Sequence, residues 1–538
     1  MALFKAIATV GGWTMISRVL GFIRDVAIAN VLGAGQVTDA FFIAFKFPNL
    51  FRRLFGEGAM NAAFVPLYSR RLERGPDDAP DAPAGPEEAR AFAGEVASAL
   101  TLFMLVFTIL AMGAMPWIMS AIAPGFRADP EKFQLTVELG RIAFPYLLFM
   151  TLSALLAGAL NANGRFAAAA AAPILLNIVL IAATALIYWG VVPEPGPGLA
   201  YGVALAGALQ FAMLALAAKR AGVLPRVPRP RLTLGVKRLG VLMAPGVAGA
   251  GVVQINVMVG DVLASTLAEG SVSYLYYADR VNQLPLGVVG VAVGIALLPL
   301  LSRQLKAGET EAAAGSMNRA LEISLLLTLP AAAALIAIPD AIVTVLFQRG
   351  AFGAEAAAAT ADALRAFAIG LPAYVLIKAL SPGFWAREDT KTPVQIAAGA
   401  VVLNVVLALI LMGPLAHAGI ALATAITAWV NAATLAALLA RRGLFRADAR
   451  LARRLPRMAA ASALMAGALV GGAVALDAWL ADAALLRIPA LAILVAGGAA
   501  VYFAAAQATG AADLREVKRL LRRPRKAPAA DGGAEMDG

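Results

Sequence analysis

The chain has 538 residues, of which 61% are hydrophobic and 14% charged, with a mean hydropathy of +0.78 and no cysteine. Soluble domains are about 45–50% apolar and about 25% charged, so this composition excludes a soluble enzyme. The lack of cysteine excludes a disulfide scaffold and a thiolate metal site. Apolar runs long enough to span a bilayer recur along most of the chain, without the residue-by-residue alternation of a transmembrane β-barrel. They predict a polytopic α-helical membrane protein.

The apolar runs predict an all-α integral membrane fold with 14 transmembrane helices. Their predicted bounds are residues 6–32, 39–69, 91–119, 133–158, 166–189, 199–218, 239–264, 273–302, 320–345, 358–384, 393–412, 418–440, 458–480 and 488–508. The termini and the connections on their side of the membrane contain 32 Lys and Arg residues, and the opposite connections contain 4. By the positive-inside rule both termini are therefore cytoplasmic. The net charge of +12 follows from this topology and does not indicate a nucleic-acid-binding protein.

Short sequence similarities predict an internal repeat. Phe64–Leu72 (FVPLYSRRL) resembles Leu297–Leu305 (LLPLLSRQL), and Leu32–Phe41 resembles Leu267–Tyr276. Parallel repeats of this kind are a transporter architecture, with the binding site between the lobes. The alternative is that helices rich in Ala, Leu and Gly resemble one another through composition alone. The predicted units are an N-lobe (residues 1–222), a C-lobe (223–445), two further helices (446–510) and a basic, partly disordered cytoplasmic tail (511–538).

Ionisable residues lie inside predicted spans 1, 2 and 8, where each costs at least about 2.5–3.5 kcal/mol on insertion scales. Arg18 and Asp25 are seven residues apart, so they share one side of the first helix. Pro48 lies inside the second span and predicts a kink there. The candidate substrate-binding residues are Arg18, Arg24, Asp25, Asp39, Arg52, Arg53 and Arg280, with Lys46, Glu57 and Asp279 as secondary cavity candidates.

These candidates comprise six cations and four carboxylates, so a positive surplus remains after pairing. A guanidinium binds phosphate oxygens through two parallel hydrogen bonds and stays charged at every relevant pH. The pattern therefore predicts a water-filled cavity for an anionic headgroup such as phosphate or pyrophosphate. The alternative is that the charges form ion pairs that lock the helices together, or that the side chains snorkel to the membrane surface.

The remaining charged and glycine-rich features have structural interpretations. Arg141, Arg365 and Lys378 lie singly or near span ends, which is typical of snorkelling side chains. His417 is the only histidine and lies in a short predicted loop, where it cannot form a proton relay by itself. The glycines of Gly287–Gly294 indicate close helix packing, because no strand precedes them. The sequence contains no Walker motif, Ser/His/Asp set or metal-ligand cluster.

Several motifs resemble those of the MurJ (MviN) family of lipid II flippases, within the MOP exporter superfamily. The resemblance extends from residue 1 to about residue 520. It rests on SRVLGFIRD (17–25), TDAFFIAFKFPNLFRRLFGEGAMNAAFVPLYS (38–69), YYADRVNQLPLGVVGVAVGIALLPLLS (276–302), LFQRGAF (346–352) and DTKTP (389–393). The superfamily has two six-helix lobes and this family adds two helices, in agreement with the number of predicted spans.

The resemblance implies transport of an undecaprenyl-pyrophosphate-linked disaccharide-pentapeptide to the outer leaflet of the cell inner membrane. It implies a transporter that works by alternating access and is not an enzyme. It also implies a monomer that works with the cell-wall synthesis machinery. Functionally important charges in the family match Arg18, Arg24, Asp39, Arg52, Arg53 and Arg280 in this sequence, and Asp25 is also present. The groove leading to residues 446–510 would hold the lipid tail.

No cofactor is expected apart from a coupling ion or the membrane potential. Some relatives have a sodium site. The resemblance implies that the matching positions in this sequence are Asp261, Asn404, Ile420 and Thr424. Ala408 stands where an acidic ligand is expected, and this departure argues against sodium binding.

Two other functions stay open from the sequence. A drug or cation antiporter of the same superfamily would need acidic residues facing its substrate. A membrane enzyme acting on polyprenyl phosphates would need carboxylates that hold Mg²⁺ near the membrane surface, and none is evident.

Overall fold

The computed structural model describes residues 2–53, 60–74, 84–481 and 486–512, and these ranges are almost entirely helical. Glu57 and residues 513–538 of the predicted tail lie outside the described residues. Helices dominate because every backbone polar group inside a bilayer must find its partner within the protein.

Nine helices precede residue 222. They are α1 (Ala2–Leu32), α2 (Gln36–Phe51), α3 (Met60–Glu73), α4 (Pro86–Gly113), α5 (Met115–Ile122), α6 (Pro130–Ala143), α7 (Tyr146–Ala162), α8 (Ala167–Tyr188) and α9 (Pro195–Arg220). In this group α1 packs along α8, α8 and α7 pack on α9, and α2 packs on α6.

Six helices follow up to residue 441. They are α10 (Leu234–Ser265), α11 (Ser271–Lys306), α12 (Thr310–Ala337), α13 (Pro339–Phe347), α14 (Ala354–Trp385) and α15 (Lys391–Arg441). The centre of this group is α14, which packs against α11, α12 and α15. The last helices are α16 (Ala449–Ala475), α17 (Asp477–Ala481) and α18 (Arg487–Ala508), with α16 packed on α12 and α18.

Within the described residues, nine helices are long and apolar enough to cross a membrane. The second predicted span, residues 39–69, is not one uninterrupted helix. Its first part, α2, ends at Phe51 just after Pro48, and residues 52–53 adopt a π-helical turn. Proline removes a helical hydrogen bond, which accounts for the irregular backbone at this point.

The two spans predicted at 393–412 and 418–440 join in α15, which reverses direction inside its assigned bounds. Ala416 has φ 47° and ψ −131°, which no helix contains. A Cβ atom on Gly419 would lie 2.2 Å from the carbonyl oxygen of Leu411, so the two halves approach each other at the turn. The turn therefore requires glycine at position 419.

The two groups of helices meet at the end of the bundle that contains the C-terminus of α1 and the N-termini of α2 and α11, called here the Asp39 end. Phe42 stacks on Tyr276 of α11 with ring centroids 3.7 Å apart, and Phe347 and Phe352 pack against the neighbouring Tyr277. These rings form an apolar layer that brings the N-lobe and the C-lobe into contact.

Candidate functional site

The central group of charges joins α1 to α11. Arg24 donates to Asp25 Oδ1 from Nε at 3.0 Å and from Nη2 at 2.7 Å. The Tyr276 hydroxyl donates to the same oxygen at 3.2 Å and accepts from Arg280 at 2.9 Å. Arg280 also approaches the second oxygen of Asp25, with Nε 3.3 Å from Oδ2. One carboxylate from the N-lobe is thus shared by cations from both lobes.

Asn177 of α8 fixes the orientation of Arg24. Its side-chain oxygen accepts from Arg24 Nη1 at 3.1 Å, and its amide nitrogen donates to the carbonyl oxygen of Ser17 at 2.9 Å. The Arg24 guanidinium therefore has partners on three sides, and Arg24 is buried. Sequence spacing does not assign Asn177 to the site, because its hydrogen bond with Arg24 joins residues 153 positions apart.

Arg24, Arg280 and Asp25 together carry one net positive charge, because two guanidinium groups share one carboxylate, and the Asp279 carboxylate also interacts with Arg280. The Arg280 side chain is 33% exposed, whereas the Asp25 side chain is 2% exposed. The Arg280 guanidinium donates one hydrogen bond of normal geometry, from Nη2 to Tyr276, so it retains donors for a ligand. Such donors can bind phosphate oxygens in the space between the lobes.

Asp39 lies in a closed contact between the lobes. Its Oδ2 accepts from Lys132 Nζ and from the backbone N–H of Gly270, both at 2.9 Å. Its Oδ1 accepts from the backbone N–H of Ser273 at 2.9 Å and from the Ser273 hydroxyl at 2.6 Å. Four donors thus satisfy this buried carboxylate in the structure, and the assignment of Asp39 to substrate binding stays a prediction.

Other contacts at the Asp39 end also join the lobes. The backbone N–H of Ala351 donates to the Asn30 carbonyl at 2.9 Å, and the Gln36 N–H donates to Glu269 at 2.7 Å. Together with the Asp39 contacts and the aromatic layer, they close this end of the bundle.

Lys46 and Asp261 form a further ion pair between the lobes, from α2 to α10. The Lys46 ammonium also lies 5.9 Å from the centre of the Tyr276 ring. Asp279 accepts from Gln283 one helical turn away and interacts electrostatically with Arg280. These two secondary candidates are thus occupied by neighbouring polar groups.

The residues of the transferred sodium site contact other protein groups in this structure. The Thr424 hydroxyl lies 3.4 Å from the side-chain oxygen of Asn404 and donates to the Ile420 carbonyl at 3.0 Å. Asp261 is paired with the Lys46 ammonium, and Ala408 offers no ligand. No group of three or more acidic or histidine side chains occurs in the described part of the chain.

The other arginine candidates lie nearer the opposite end. Arg52 donates to Asn49 at 2.8 Å, and Arg53 is exposed. Arg18 reaches α11, where its Nη1 lies 1.9 Å from the position that a Cβ atom on Gly287 would occupy. Arg18 and Asp25 both face α11, in keeping with their seven-residue spacing. Glu57 lies outside the described residues.

Charges interpreted as structural have local partners. Arg365 pairs with Asp340 and Asp362, and Arg141 donates to the Met112 carbonyl at 3.0 Å. The His417 ring contacts the Ala359 carbonyl at 2.7 Å.

Comparisons with known proteins agree with this architecture. The family model of the lipid II flippase MurJ matches residues 28–489. A probable lipid II flippase MurJ of Rhizobium tropici is 45% identical over 539 residues, which cover 99% of both chains. The lipid II flippase MurJ of Burkholderia cenocepacia is 34% identical over 512 residues, covering 94% of this chain and 96% of its own.

Solved structures show the same fold. A lipid II flippase MurJ in an inward closed conformation superposes with a TM-score of 0.76 and 27% identity, covering 95% of this chain and 99% of the other. An inward-facing multidrug resistance transporter of the MATE family, in the MOP superfamily, superposes with a TM-score of 0.65 and 16% identity. The match covers 82% of this chain and 98% of the other. At that identity the second match supports the fold alone. The resemblance found in the sequence is thus confirmed, and the chain belongs to the MurJ family of lipid II flippases.

Proposed function

We propose that this protein moves lipid II, a polyprenyl-diphosphate-linked peptidoglycan precursor, from the cytoplasmic to the periplasmic leaflet of the inner membrane. The observation that carries the proposal is the surplus cation where Arg24 and Arg280 share Asp25 between the two lobes. A diphosphate offers several oxygens, and the fork of an arginine binds them in pairs. No bond of the substrate is made or broken.

The proposed topology has 14 spans, with the Asp39 end at the periplasm and both termini in the cytoplasm. Counting the hairpin of α15 as two spans and adding α1, α2 with α3, α10 and α11 to the other apolar helices gives this number. The basic residues of the connections support the orientation.

Binding would begin at Arg280, whose partly exposed guanidinium keeps unused donors. The diphosphate would then replace part of the interaction of Arg280 with Asp25, while Asn177 keeps Arg24 oriented. The polyprenyl tail would stay in lipid, along the groove beside residues 446–510. This division keeps only the charged headgroup in the cavity.

Transport would proceed by alternating access. Opening of the periplasmic side requires the Asp39 contacts, the Ala351–Asn30 hydrogen bond and the Lys46–Asp261 pair to break. Water and lipid headgroups can replace these polar contacts when the lobes rotate, and the Phe42–Tyr276 stack must separate as well. The closed Asp39 end and the described contacts between the lobes support an inward-facing starting state.

The membrane potential is the proposed source of energy. With the inside negative, outward movement of an anion is favourable by about 2.3 kcal/mol per charge per 100 mV. The potential can act on the charge of the substrate or on the return of the cationic empty carrier. Sodium has no part in this proposal, because Asp261 is paired with Lys46.

The alternatives have less support. A cation antiporter would expose carboxylates, whereas the exposed charge of the central group belongs to Arg280. An enzyme of the polyprenyl-phosphate class would need clustered carboxylates, and none occurs among the described residues. A monomeric carrier working with cell-wall synthesis proteins stays a prediction.

The test is lipid II accessibility at the outer leaflet of cells depleted of the native protein and complemented with variants. We expect Arg24→Ala and Arg280→Ala to abolish flipping, because each removes a cation from the central group. Arg365→Ala is the matched control, since Arg365 pairs with Asp340 and Asp362 away from the site. Normal flipping by both site variants at normal protein levels would overturn the proposal.

A further inference from the structure

Two cations from different lobes converge on one face of α11. Arg18 of α1 lies over Gly287, and Lys378 of α14 lies over Gly290, with Nζ 3.2 Å from the position of a Cβ atom there. Gly287 and Gly290 are three residues apart, so they occupy the same face of the helix. The two glycines leave room for the two side chains.

Neither cation has a counter-charge among the described residues. In the described ranges, Arg18 and Lys378 form no ion pair and no hydrogen bond, although Arg18 is close enough to Lys378 to repel it. Both residues are exposed. Two like charges held together inside a membrane-spanning bundle are unfavourable unless an anion joins them. This contrasts with Arg24, which is held by Asp25.

The Arg18–Lys378 pair lies on the cytoplasmic side of the central group. Arg18 precedes Asp25 by seven residues and Gly287 follows Arg280 by seven, so both helices place the pair about 10 Å from the central group. A headgroup that enters from the cytoplasm therefore reaches Arg18 and Lys378 before it reaches Arg24 and Arg280. Because Arg18 belongs to the N-lobe and Lys378 to the C-lobe, a bound anion would also connect the lobes here.

We propose that Arg18 and Lys378 form an entry subsite that receives the diphosphate of a polyprenyl-linked substrate before Arg24 and Arg280 bind it. This inference rests on the proposed function and adds Lys378, which the sequence had suggested was a snorkelling side chain. The ligand chemistry is a lipid-linked phosphate, and the diphosphate is favoured over a monophosphate because two separate cations face it.

The experiment measures binding of undecaprenyl diphosphate to the purified full-length protein in nanodiscs of neutral lipid. We expect Lys378→Met to weaken binding about tenfold or more, since one charge-assisted contact is lost. Lys378→Arg should restore most of the affinity. Arg365→Met, on the same helix but paired with Asp340 and Asp362, should leave the affinity unchanged.

A second variant pair tests whether the two cations act together. Arg18→Met combined with Lys378→Met should weaken binding by less than the product of the two single effects, because both groups hold one ligand. Gly290→Ala should weaken binding in the same direction, since its Cβ atom would displace the Lys378 ammonium.

The outcomes separate the two proposals. If the unmodified protein does not bind undecaprenyl diphosphate, the proposed function fails. If it binds and Lys378→Met binds equally well, the entry subsite alone is refuted. Equal loss of binding for dioleoylphosphatidylglycerol and for the diphosphate would also overturn the inference, because the subsite would then belong to a bulk phospholipid.

Discussion

Asp39→Asn should open the Asp39 end of the protein. Asp39 and Lys132 are both buried, at 1% and 6% exposure, and their charges neutralise each other across 2.9 Å. Asparagine keeps the shape, but its single side-chain oxygen can accept only from Ser273 or only from Gly270, and it leaves the Lys132 ammonium without a counter-charge.

The size of the effect follows from the burial of the pair. Removing one partner of a buried ion pair typically costs about 3–5 kcal/mol. Since the amide retains some of the hydrogen bonds, we expect about 3 kcal/mol, which lowers the ratio of closed to open states about 100-fold or more. The cost falls on the closed state, because opening returns Lys132 to water.

Thiol labelling measures this shift directly, because the chain contains no native cysteine. Thr38→Cys places one thiol beside Asp39, at a position that is 0% exposed in the closed state. We expect slow labelling by a hydrophilic maleimide in the Thr38→Cys protein and fast labelling once Asp39→Asn is added. Asp340→Asn, which removes an exposed carboxylate, is the control and should leave labelling slow. Equal labelling rates with and without Asp39→Asn, in folded protein, would refute the role of Asp39.

Three further predictions concern the fold, a loop and the energy source. Gly419→Ala should destabilise the protein or prevent its folding, because the added Cβ atom would overlap the Leu411 carbonyl. Gly399→Ala is the control and should have little effect on the thermal unfolding that measures this. Hydrogen bonds from Thr392, together with Arg442, lower the pKa of Asp389 to about 2. The loop that contains Asp389 should therefore resist trypsin equally from pH 5 to 8 and become susceptible in Asp389→Asn. Because the lowered pKa favours the carboxylate, the contribution of Asp389 to stability is lost only as pH falls from about 4 towards 2. Replacement of sodium by choline should leave flipping unchanged, whereas collapse of the membrane potential should stop it; strong sodium dependence would contradict the Lys46–Asp261 assignment.

Part of the site could be predicted from spacing and charge. Arg18, Arg24, Asp25 and Arg280 stand out because ionisable residues are costly in apolar spans, and a seven-residue spacing places two of them on one helix face. In the structure Arg24 and Arg280 share the Asp25 carboxylate, and the positive surplus of the whole cavity stays a prediction.

The partners of these charges could not be predicted in the same way. Lys132 lies near a predicted connection, and nothing local relates it to Asp39, 93 residues earlier. Lys46 and Asp261 are 215 residues apart, and each had a different expected role. Periodicity identifies the face of a helix but not the helix that it meets, so contacts between lobes require the three-dimensional structure.

The fold shows the same division. Hydropathy identified most of the long helices, because membrane-spanning segments need continuous apolar sequence. It did not predict the tight turn between the spans at 393–412 and 418–440, where the backbone of Ala416 is not helical. Such a turn depends on a close approach at Gly419, which hydropathy does not report.

The most direct measurement is a structure of the protein with lipid II bound in nanodiscs. Diphosphate oxygens within hydrogen-bonding distance of the Arg24 and Arg280 guanidinium groups, with the polyprenyl tail outside the lobes, would agree with the proposed mechanism. A diphosphate bound elsewhere, with Arg280 still held only by Asp25 and Tyr276, would contradict it.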